Sequence, residues 1–287
     1  MNHVEADPAA PLSAATTDAT DATADTDAAD AAAADRRRLV RLDGVHNFRD
    51  LGGYPAAGGI TRWNLVYRAD GLQRLTAADL DILRARGLGV VIDLRTDTEL
   101  SERGTFPTDQ HSVSFHHVPV VDRTWMPGEV PEFDNAHDFL MWAYRDMLQV
   151  GADKLASGLE IIAAVEVLPL VFHCAAGKDR TGLLAALLLA VLGVPDACIA
   201  ADYAKTGEAM VRMRAAWKAW AAERGAEEVA QLNEDRAHYF ESPASVMQDL
   251  LGELAATHGS VVDFVLGLGV TTASVEALRA RLIEPSV

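Results

Sequence analysis

Twelve residues decide the fold of this chain: VFHCAAGKDRTG, from Val171 to Gly182. They join a mainly apolar run, Leu168–Cys174, to a second apolar run with few polar positions, Arg180–Leu192. A strand buried on both faces and a helix buried all round produce such runs. The stretch therefore predicts a strand, a tight turn and a helix at the centre of a larger α/β core.

Outward from this stretch, short apolar runs alternate with segments of helical periodicity. The runs predict four strands, at Leu39–Leu42, Leu88–Leu94, Val113–Val121 and Leu168–Cys174. The other segments predict helices, at Thr76–Arg86 with Thr76 as the N-cap, Phe139–Gln149, Ala152–Glu166, Arg180–Leu192, and from Asp196 to about Ile283. This order favours an α/β fold, with a mostly parallel central sheet flanked by helices and a helical C-terminal region.

The charge of the chain is acidic. Among 287 residues, 42 acids stand against 25 bases, which gives a formal net charge of −17. Nucleic-acid binding needs a basic footprint, so this balance argues against nucleic acid as a partner. The longest apolar run, twelve residues from Leu183 to Val194, is shorter than the roughly 20 that span a bilayer, so we expect no stable membrane insertion.

Cysteine content and the N-terminus bear on the compartment. Two cysteines are too few for a disulfide scaffold. The N-terminal residues lack the basic and apolar regions of a signal peptide. We therefore expect a cytoplasmic protein, and secretion without such a signal stays open.

Residues 1–35 differ in composition from the rest of the chain. They contain eight acids, 14 alanines and no lysine or arginine. Val4 and Leu12 are their only branched aliphatic residues, so they bury too little apolar surface to offset the entropy of ordering. We predict a disordered acidic tail over 1–35 and one folded domain over 36–287.

The turn inside the opening stretch has the composition of an anion site. Converging backbone N–H groups at a helix N-terminus hold a phosphate. Gly177 lets the loop backbone approach the ligand, Arg180 offers a planar fork to two phosphate oxygens, and Lys178 adds a point charge. The expected phosphate-binding residues are Ala175, Ala176, Gly177, Lys178, Asp179 and Arg180.

Cys174 is the expected nucleophile of this site. The dipoles that bind phosphate also stabilise a thiolate, which can attack phosphorus and form a cysteinyl-phosphate. Thr181 is expected to donate its hydroxyl to the sulfur as the sulfur leaves. His173 is expected to orient the loop through hydrogen bonds, and we predict no metal site.

Two other interpretations fit parts of the pattern. A cysteine at the end of a buried strand is usually an inert small hydrophobe. Three successive charged residues, Lys178–Arg180, at a buried junction indicate a bound ligand instead. The phosphate loop of nucleotide hydrolases requires Gly at the position of Phe172 and Ser or Thr at that of Asp179, so that motif is excluded.

The segment HCAAGKDRTG resembles the signature loop of the cysteine-dependent protein tyrosine phosphatases. Its Lys-Asp pair before the arginine is similar to an atypical bacterial group that acts on phosphotyrosine, phosphoserine or phosphothreonine, and phosphoinositides. Further segments resemble the same group, namely Asn47–Gly53 (NFRDLGG), Tyr67–Leu72 (YRADGL), Ile92–Arg95 (IDLR) and Ala201–Tyr203 (ADY). The resemblance spans about 42–283 and implies that 36–287 is a phosphatase domain.

The general acid of the implied reaction has two candidates. Cleavage of a phosphate ester needs a proton for the leaving oxygen. Many relatives carry that acid in a Trp-Pro-Asp loop, but Trp125-Met126-Pro127-Gly128 has no Asp after its Pro. Asp179, inside the phosphate loop, is the candidate that the atypical group implies. Asp122, which follows a predicted strand, is the alternative.

Two further expectations concern the surroundings of the site. Arg49 and Asp50 are predicted to form a structural ion pair near the loop, with direct substrate contact as the alternative. The resemblance implies a helical lid over 207–240, in which Trp217 and Trp220 face the pocket or the seam of the lid. Core packing is the other explanation for these tryptophans.

These features imply a phosphomonoester hydrolase that works through a cysteinyl-phosphate intermediate without a cofactor. Its expected partners are phosphorylated proteins or phosphoinositides. Two alternatives use the same loop. One is a catalytically weak module that captures phosphorylated partners, and the other is a sulfur-transfer or thiol-redox enzyme built on Cys174.

Overall fold

A computed structural model describes residues 30–122, 130–223 and 240–286, except for the side chains of residue 217 and residues 219–223. The chain divides into two units, residues 1–37 and residues 38–287. Most of the predicted tail, residues 1–35, lies outside the described residues, and its disorder stays a prediction. The described residues of the first unit are helical.

Eight short strands form two sheets within the described residues. The strands are β1 (Arg49–Asp50), β2 (Pro55–Ala56), β3 (Gly59–Thr61), β4 (Val66–Ala69), β5 (Val90–Asp93), β6 (Ser114–His117), β7 (Leu170–His173) and β8 (Ile283–Pro285). The central sheet has the order β1-β4-β7-β5-β6. β4, β7, β5 and β6 run parallel to one another, and β1 is antiparallel to β4. The predicted, mostly parallel sheet is confirmed.

Helices account for most of the remaining described residues. They are α1 (30–38), α2 (Ala77–Ala85), α3 (Asp97–Arg103), α4 (Ala136–Val150), α5 (Ala152–Ala164), α6 (Asp179–Val191), α7 (Asp196–Ala204), α8 (Thr206–Glu223), α9 (Ala244–His258), α10 (Val261–Gly267) and α11 (Thr272–Leu282). A 3₁₀ turn covers Leu72–Arg74. In the ranges that the structure describes, no helix combines the length and the apolar character needed to cross a membrane.

The central sheet is covered on both faces, since its inner strands β4, β5 and β7 are buried at every position. On β5, Val90 and Ile92 join the larger apolar cluster, whereas Val91 joins the smaller one. This alternation follows from the two-residue period of a strand. The larger cluster takes side chains from α4 to α7 and α9 to α11, and the smaller one takes them from α2.

The strand register determines where the opening loop lies. Ala69, His173 and Asp93 are neighbours across β4, β7 and β5, and His117 pairs with Asp93 from β6. The four parallel strands therefore end at one edge of the sheet. Ligands of open α/β sheets bind beyond the carboxyl ends of the strands. Cys174, directly after β7, emerges at the centre of this edge.

The helix predicted from Thr76 is confirmed, with both halves of a capping box. The backbone N–H of Asp79 donates to the Thr76 hydroxyl (3.2 Å), and the Asp79 carboxylate accepts from the backbone N–H of Thr76 (2.9 Å). Each bond satisfies an N–H group that a helix start leaves without an intrahelical partner.

One expectation about the start of the folded region is wrong. Leu39–Leu42 forms no strand, and Leu39 makes only a single bridge to Arg49. At the other end, the last helix, α11, ends at Leu282, close to the predicted Ile283, and it is followed by β8, which pairs antiparallel with β3 through Ile283 and Thr61. This pairing joins segments more than 200 residues apart, so no local pattern reveals it.

Candidate active site

The loop between β7 and α6 has the shape that its glycine dictates. Gly177 has φ +67°, a region that favours glycine. A Cβ atom there would lie 2.5 Å from the carbonyl oxygen of Ala69, at the end of β4. Close packing and backbone conformation therefore both require glycine. α6 begins at Asp179, so its N-terminus opens directly on this loop.

The loop is held by its carbonyl groups. The backbone N–H of Gly71 donates to the carbonyl of Ala175 (3.1 Å). Asn47 Nδ2 lies 3.1 Å from the carbonyl oxygens of both Ala176 and Gly177. The N–H and C=O of a peptide unit point in opposite directions. Carbonyls that are tied to the scaffold thus turn the N–H groups of the loop away from it, as a phosphate cradle requires.

Asp202 anchors the residues that hold the loop. Its carboxylate lies 2.9 Å from Arg49 Nε and 2.6 Å from Arg68 Nη1, and the Tyr54 hydroxyl donates to it (3.0 Å). Arg68 Nη2 donates in turn to the carbonyl of Gly177 (2.8 Å). Burial alone would raise the pKa of Asp202, but the two arginines outweigh it and lower that pKa. We call Arg49, Arg68 and Asp202 the anchor group.

The predicted ion pair between Arg49 and Asp50 is wrong. The two residues are consecutive in β1, so their side chains point to opposite faces. Arg49 pairs with Asp202. Asp50 accepts from the backbone N–H groups of Gly52 (2.8 Å) and Asn64 (2.7 Å). Both residues shape the backbone around the site, and the partner of Arg49 belongs to the Ala-Asp-Tyr segment.

Arg180 is paired with Glu99 through both nitrogens of its fork. Nη1 lies 2.6 Å from Oε2, and Nη2 lies 3.0 Å from Oε1. Burial acts to raise the pKa of Glu99, but the hydrogen bonds and charge of Arg180 lower it to about 2. Burial likewise opposes the charge of Arg180, while Cys174 and Glu99 together raise its pKa. We call Glu99 and Arg180 the clamp pair.

Sequence reasoning missed Glu99. A local signal exists, since Thr96 and Glu99 form a capping box at the start of α3, with the Thr96 N–H 2.9 Å from Oε2. That signal predicts a helix start and nothing more. The pairing with Arg180 joins residues 81 positions apart, so only the folded chain reveals it.

Cys174, Thr181 and His173 are all buried, within or beside the loop. Cys174 is 1% exposed and is a free thiol. The Thr181 hydroxyl is buried and makes no hydrogen bond within the described residues, an uncommon state for such a group. His173 Nδ1 lies 3.2 Å from the carbonyl oxygen of Cys174. Burial lowers the pKa of His173 to about 4, so its ring is neutral at physiological pH.

The two candidates for the general acid lie in different settings. The Asp179 side chain is 29% exposed at the first position of α6. Its Oδ1 lies 2.9 Å from the hydroxyl of Tyr144 and 3.2 Å from Lys178 Nζ. Asp122 is exposed. It directly precedes residues 123–129, which include the Trp-Met-Pro-Gly segment and lie outside the described ranges.

Lys178 is less accessible than its place in the loop suggests. Its side chain is 3% exposed, and Nζ donates to the carbonyl of Glu241 (3.2 Å). The predicted lid begins as a helix, α8, in which Met210 and Met213 are buried. Residues 224–239 of that lid and the tryptophan side chains fall outside the described residues, so the lid stays a prediction.

Comparisons with known proteins agree with this geometry. Residues 40–284 match the family model described as the tyrosine phosphatase family. A protein of Cupriavidus necator with the provisional name tyrosine-protein phosphatase is 36% identical over 185 residues, which are 62% of this chain and 66% of that protein. The tyrosine-protein phosphatase of Nostoc commune is 36% identical over 142 residues, 48% of this chain and 46% of that protein.

A third relative matches over almost its whole length. The triple specificity protein phosphatase PtpB of Mycobacterium tuberculosis is 27% identical over 277 residues, which are 84% of this chain and 98% of that protein. The chain spans about two thirds of the Cupriavidus relative and about half of the Nostoc relative. Since the family model covers the whole sheet together with the phosphate loop, this chain belongs to the tyrosine phosphatase family.

Proposed function

We propose that this chain hydrolyses phosphomonoesters, phosphotyrosine among them, through a cysteinyl-phosphate intermediate. One observation carries the proposal. Cys174 lies at the base of a loop whose carbonyls are tied to the scaffold and whose arginine is held in a two-point contact. A thiolate, a set of N–H donors and a guanidinium fork around one point suit a phosphate and little else.

In the first step, the phosphate is held by the N–H groups of Ala175–Asp179 and by the guanidinium N–H groups of Arg180 that do not donate to Glu99. The thiolate of Cys174 forms a bond to phosphorus while the bond to the leaving oxygen breaks. Asp179 gives its proton to that oxygen, and the alcohol or phenol departs. The donors already point at the position where negative charge develops, so the transition state is stabilised without reorganisation.

In the second step, water attacks the phosphorus of the intermediate. Asp179, now a carboxylate, accepts a proton from the water and is ready for another cycle. The bond between sulfur and phosphorus breaks, and inorganic phosphate is released. The buried hydroxyl of Thr181, which makes no hydrogen bond within the described residues, is suited to donate to the departing thiolate.

We assign the acid to Asp179 and not to Asp122. Asp179 is part of the loop and remains partly open to solvent, so a bound phosphate ester and the carboxyl group can meet. Proton transfer requires the donor within hydrogen-bond reach of the leaving oxygen. The position of Asp179 in the loop supports that reach.

Phosphorylated proteins or phosphoinositides are the substrates we propose. The name of the Mycobacterium tuberculosis relative, a triple specificity phosphatase, supports a range beyond phosphotyrosine. The cytoplasm is the compartment we propose, because both Cys174 and Cys198 are free thiols, and a thiolate nucleophile needs a reducing environment.

Hydrolysis of 4-nitrophenyl phosphate in the presence of a chelator tests the proposal. The wild type turns over, Cys174→Ser does not, and Asp179→Asn loses about 10²–10⁴-fold in kcat. Asp122→Asn keeps wild-type kinetics. Activity that survives in Cys174→Ser contradicts the mechanism. A loss confined to Asp122→Asn transfers the acid role to that residue. A wild type that binds vanadate but does not turn over is the weak phosphate-binding module.

A further inference from the structure

We propose that Tyr144 and Tyr203 are positioning residues, which orient the carboxyl group of Asp179 for proton transfer. The proposal rests on the general-acid role proposed above for Asp179. Neither tyrosine is suggested by the phosphate-loop motif, and Tyr144 lies in a helix that no motif covers.

The three side chains form a continuous chain of hydrogen bonds. The hydroxyl of Tyr144 donates to Asp179 Oδ1 (2.9 Å), and it lies 2.6 Å from the hydroxyl of Tyr203. The two rings meet edge to face, with centroids 6.0 Å apart and planes at 86°. Tyr144, Asp179 and Tyr203 lie in α4, α6 and α7, so these hydrogen bonds join the start of α6 to two other helices.

Burial fixes the direction of these bonds. Tyr144 and Tyr203 are 0% and 1% exposed. Burial and the nearby carboxylate of Asp179 raise the pKa of both tyrosines. Both hydroxyls therefore stay protonated. Because the hydrogen of Tyr144 goes to Asp179, Tyr144 accepts from Tyr203, and each hydroxyl has one fixed partner to which it donates.

The hydrogen bonds of this arrangement hold one oxygen of the Asp179 carboxyl group. Tyr144 and Lys178 both contact Oδ1. An oxygen that accepts from a hydroxyl and an ammonium is a poor place for a proton, so the proton of the acid form is directed to Oδ2. With Oδ1 held, the Oδ2 proton points in one direction. The Asp179 side chain is 29% exposed, so its carboxyl group remains accessible to a bound ester.

A glycine of the loop motif accommodates this arrangement. A Cβ atom on Gly182 would lie 3.2 Å from Cδ2 of Tyr203 and 3.4 Å from Cε2. The first of these distances is tighter than ordinary van der Waals contact, so the ring of Tyr203 packs closely against α6 at residue 182. Gly182, the last glycine of the loop motif, therefore contacts Tyr203 of the Ala-Asp-Tyr segment.

Leaving-group dependence distinguishes a positioning role from simple core packing. A poor leaving group depends on protonation more than a good one does. We therefore compare phenyl phosphate with 4-nitrophenyl phosphate, using Tyr144→Phe and Tyr203→Phe. Tyr67→Phe is the matched control. Tyr67 is also buried, and its hydroxyl donates to Asn64 (3.3 Å) and takes no part in the hydrogen bonds between Tyr203, Tyr144 and Asp179.

We expect Tyr144→Phe to lower kcat for phenyl phosphate about 10-fold, the order expected for one lost hydrogen bond to a charged group. The loss for 4-nitrophenyl phosphate is smaller, and KM changes little for either substrate. Tyr203→Phe lowers kcat with the same preference for phenyl phosphate but by a smaller factor. If Tyr144→Phe folds poorly, Tyr203→Phe tests the positioning role in its place. Tyr67→Phe keeps the wild-type ratio between the two substrates.

Equal losses on both substrates, or no loss, would overturn the positioning role while the phosphatase activity stands. The proposed function fails in a different manner. In that case the wild type hydrolyses neither substrate. An Asp179→Asn variant that keeps the wild-type leaving-group dependence would overturn the acid role of Asp179 and the positioning role together, while the phosphatase activity stands.

Discussion

The anchor group and the clamp pair use the same chemistry at the phosphate loop, yet they differ in how they are built. In the anchor group, one carboxylate, Asp202, serves two arginines, Arg49 and Arg68, whose side chains are 5% and 1% exposed. In the clamp pair, one carboxylate meets one arginine, and both side chains are 9% exposed. The anchor group holds a loop carbonyl through Arg68, whereas the clamp pair holds a side chain that we propose binds phosphate.

This difference predicts which arginines are structural and which one serves the proposed catalysis. The arginines of the anchor group are tied to a shared, buried charge, and removing that charge leaves two cations without compensation. Arg180 has a single partner, which fixes the orientation of its fork but does not bury it within a larger network. Damage to the anchor group is therefore expected to reduce stability first, and damage to the clamp pair to reduce catalysis first.

The largest expected effect is that of Asp202→Asn. Breaking a buried ion pair from one side costs about 3–5 kcal/mol of the free energy of unfolding. Urea denaturation followed by circular dichroism measures it. The control is Asp81→Asn, because Asp81 pairs with Arg84 on the surface with its side chain 74% exposed, where such pairs contribute about 0–1 kcal/mol. Equal stability of the two variants would contradict the structural role of the anchor group.

Glu99→Gln tests the other side of the comparison. The amide keeps the shape of the side chain but loses the charge that holds Arg180, so we expect kcat/KM for 4-nitrophenyl phosphate to fall about 10-fold. The free energy of unfolding should fall less than in Asp202→Asn. A variant with normal kinetics and a stability loss as large as that of Asp202→Asn would erase the distinction between the two groups.

Arg68→Lys sharpens the account of how the loop is held. Lysine keeps the positive charge near Asp202, but it lacks the second arm that reaches the carbonyl of Gly177. We expect a loss of about 1–2 kcal/mol in the free energy of unfolding, measured by urea denaturation. Arg84→Lys, on the surface, is the control and should change it by less than about 0.5 kcal/mol.

The smallest effect concerns the acid stability of the clamp pair. Glu99 has a folded pKa of about 2, below its ordinary value of 4.5. A carboxyl with a lowered pKa stabilises the fold above the ordinary value and loses that contribution as the pH falls toward the folded one. The difference in free energy of unfolding between wild type and Glu99→Gln should therefore be largest above pH 4.5 and decrease as the pH falls toward 2. A difference that grows on acidification would contradict this.

Sequence alone predicts those parts of the site that are contiguous in the chain. The loop from His173 to Gly182, its strand and its helix follow from local composition, and Gly177 has the backbone conformation that its place in a tight turn requires. The order of strands and helices is also enough to predict the mostly parallel sheet.

The remaining features depend on contacts between distant segments. For Arg49, the sequence predicts an ion pair with its neighbour Asp50. The alternation of a strand forbids that pair, and the true partner lies 153 positions away. Glu99 and Tyr144 reach the loop from helices with no motif of their own, so only the packing of those helices reveals them.

Trapping the intermediate tests the central claim most directly. Wild-type protein is quenched in acid during turnover of 4-nitrophenyl phosphate, and its peptides are examined by mass spectrometry. We predict a phosphoryl group on the peptide that contains Cys174, on its sulfur, and none on that peptide in Cys174→Ser. Steady turnover with no phosphoryl group on Cys174, or with the group on another residue, would contradict the account.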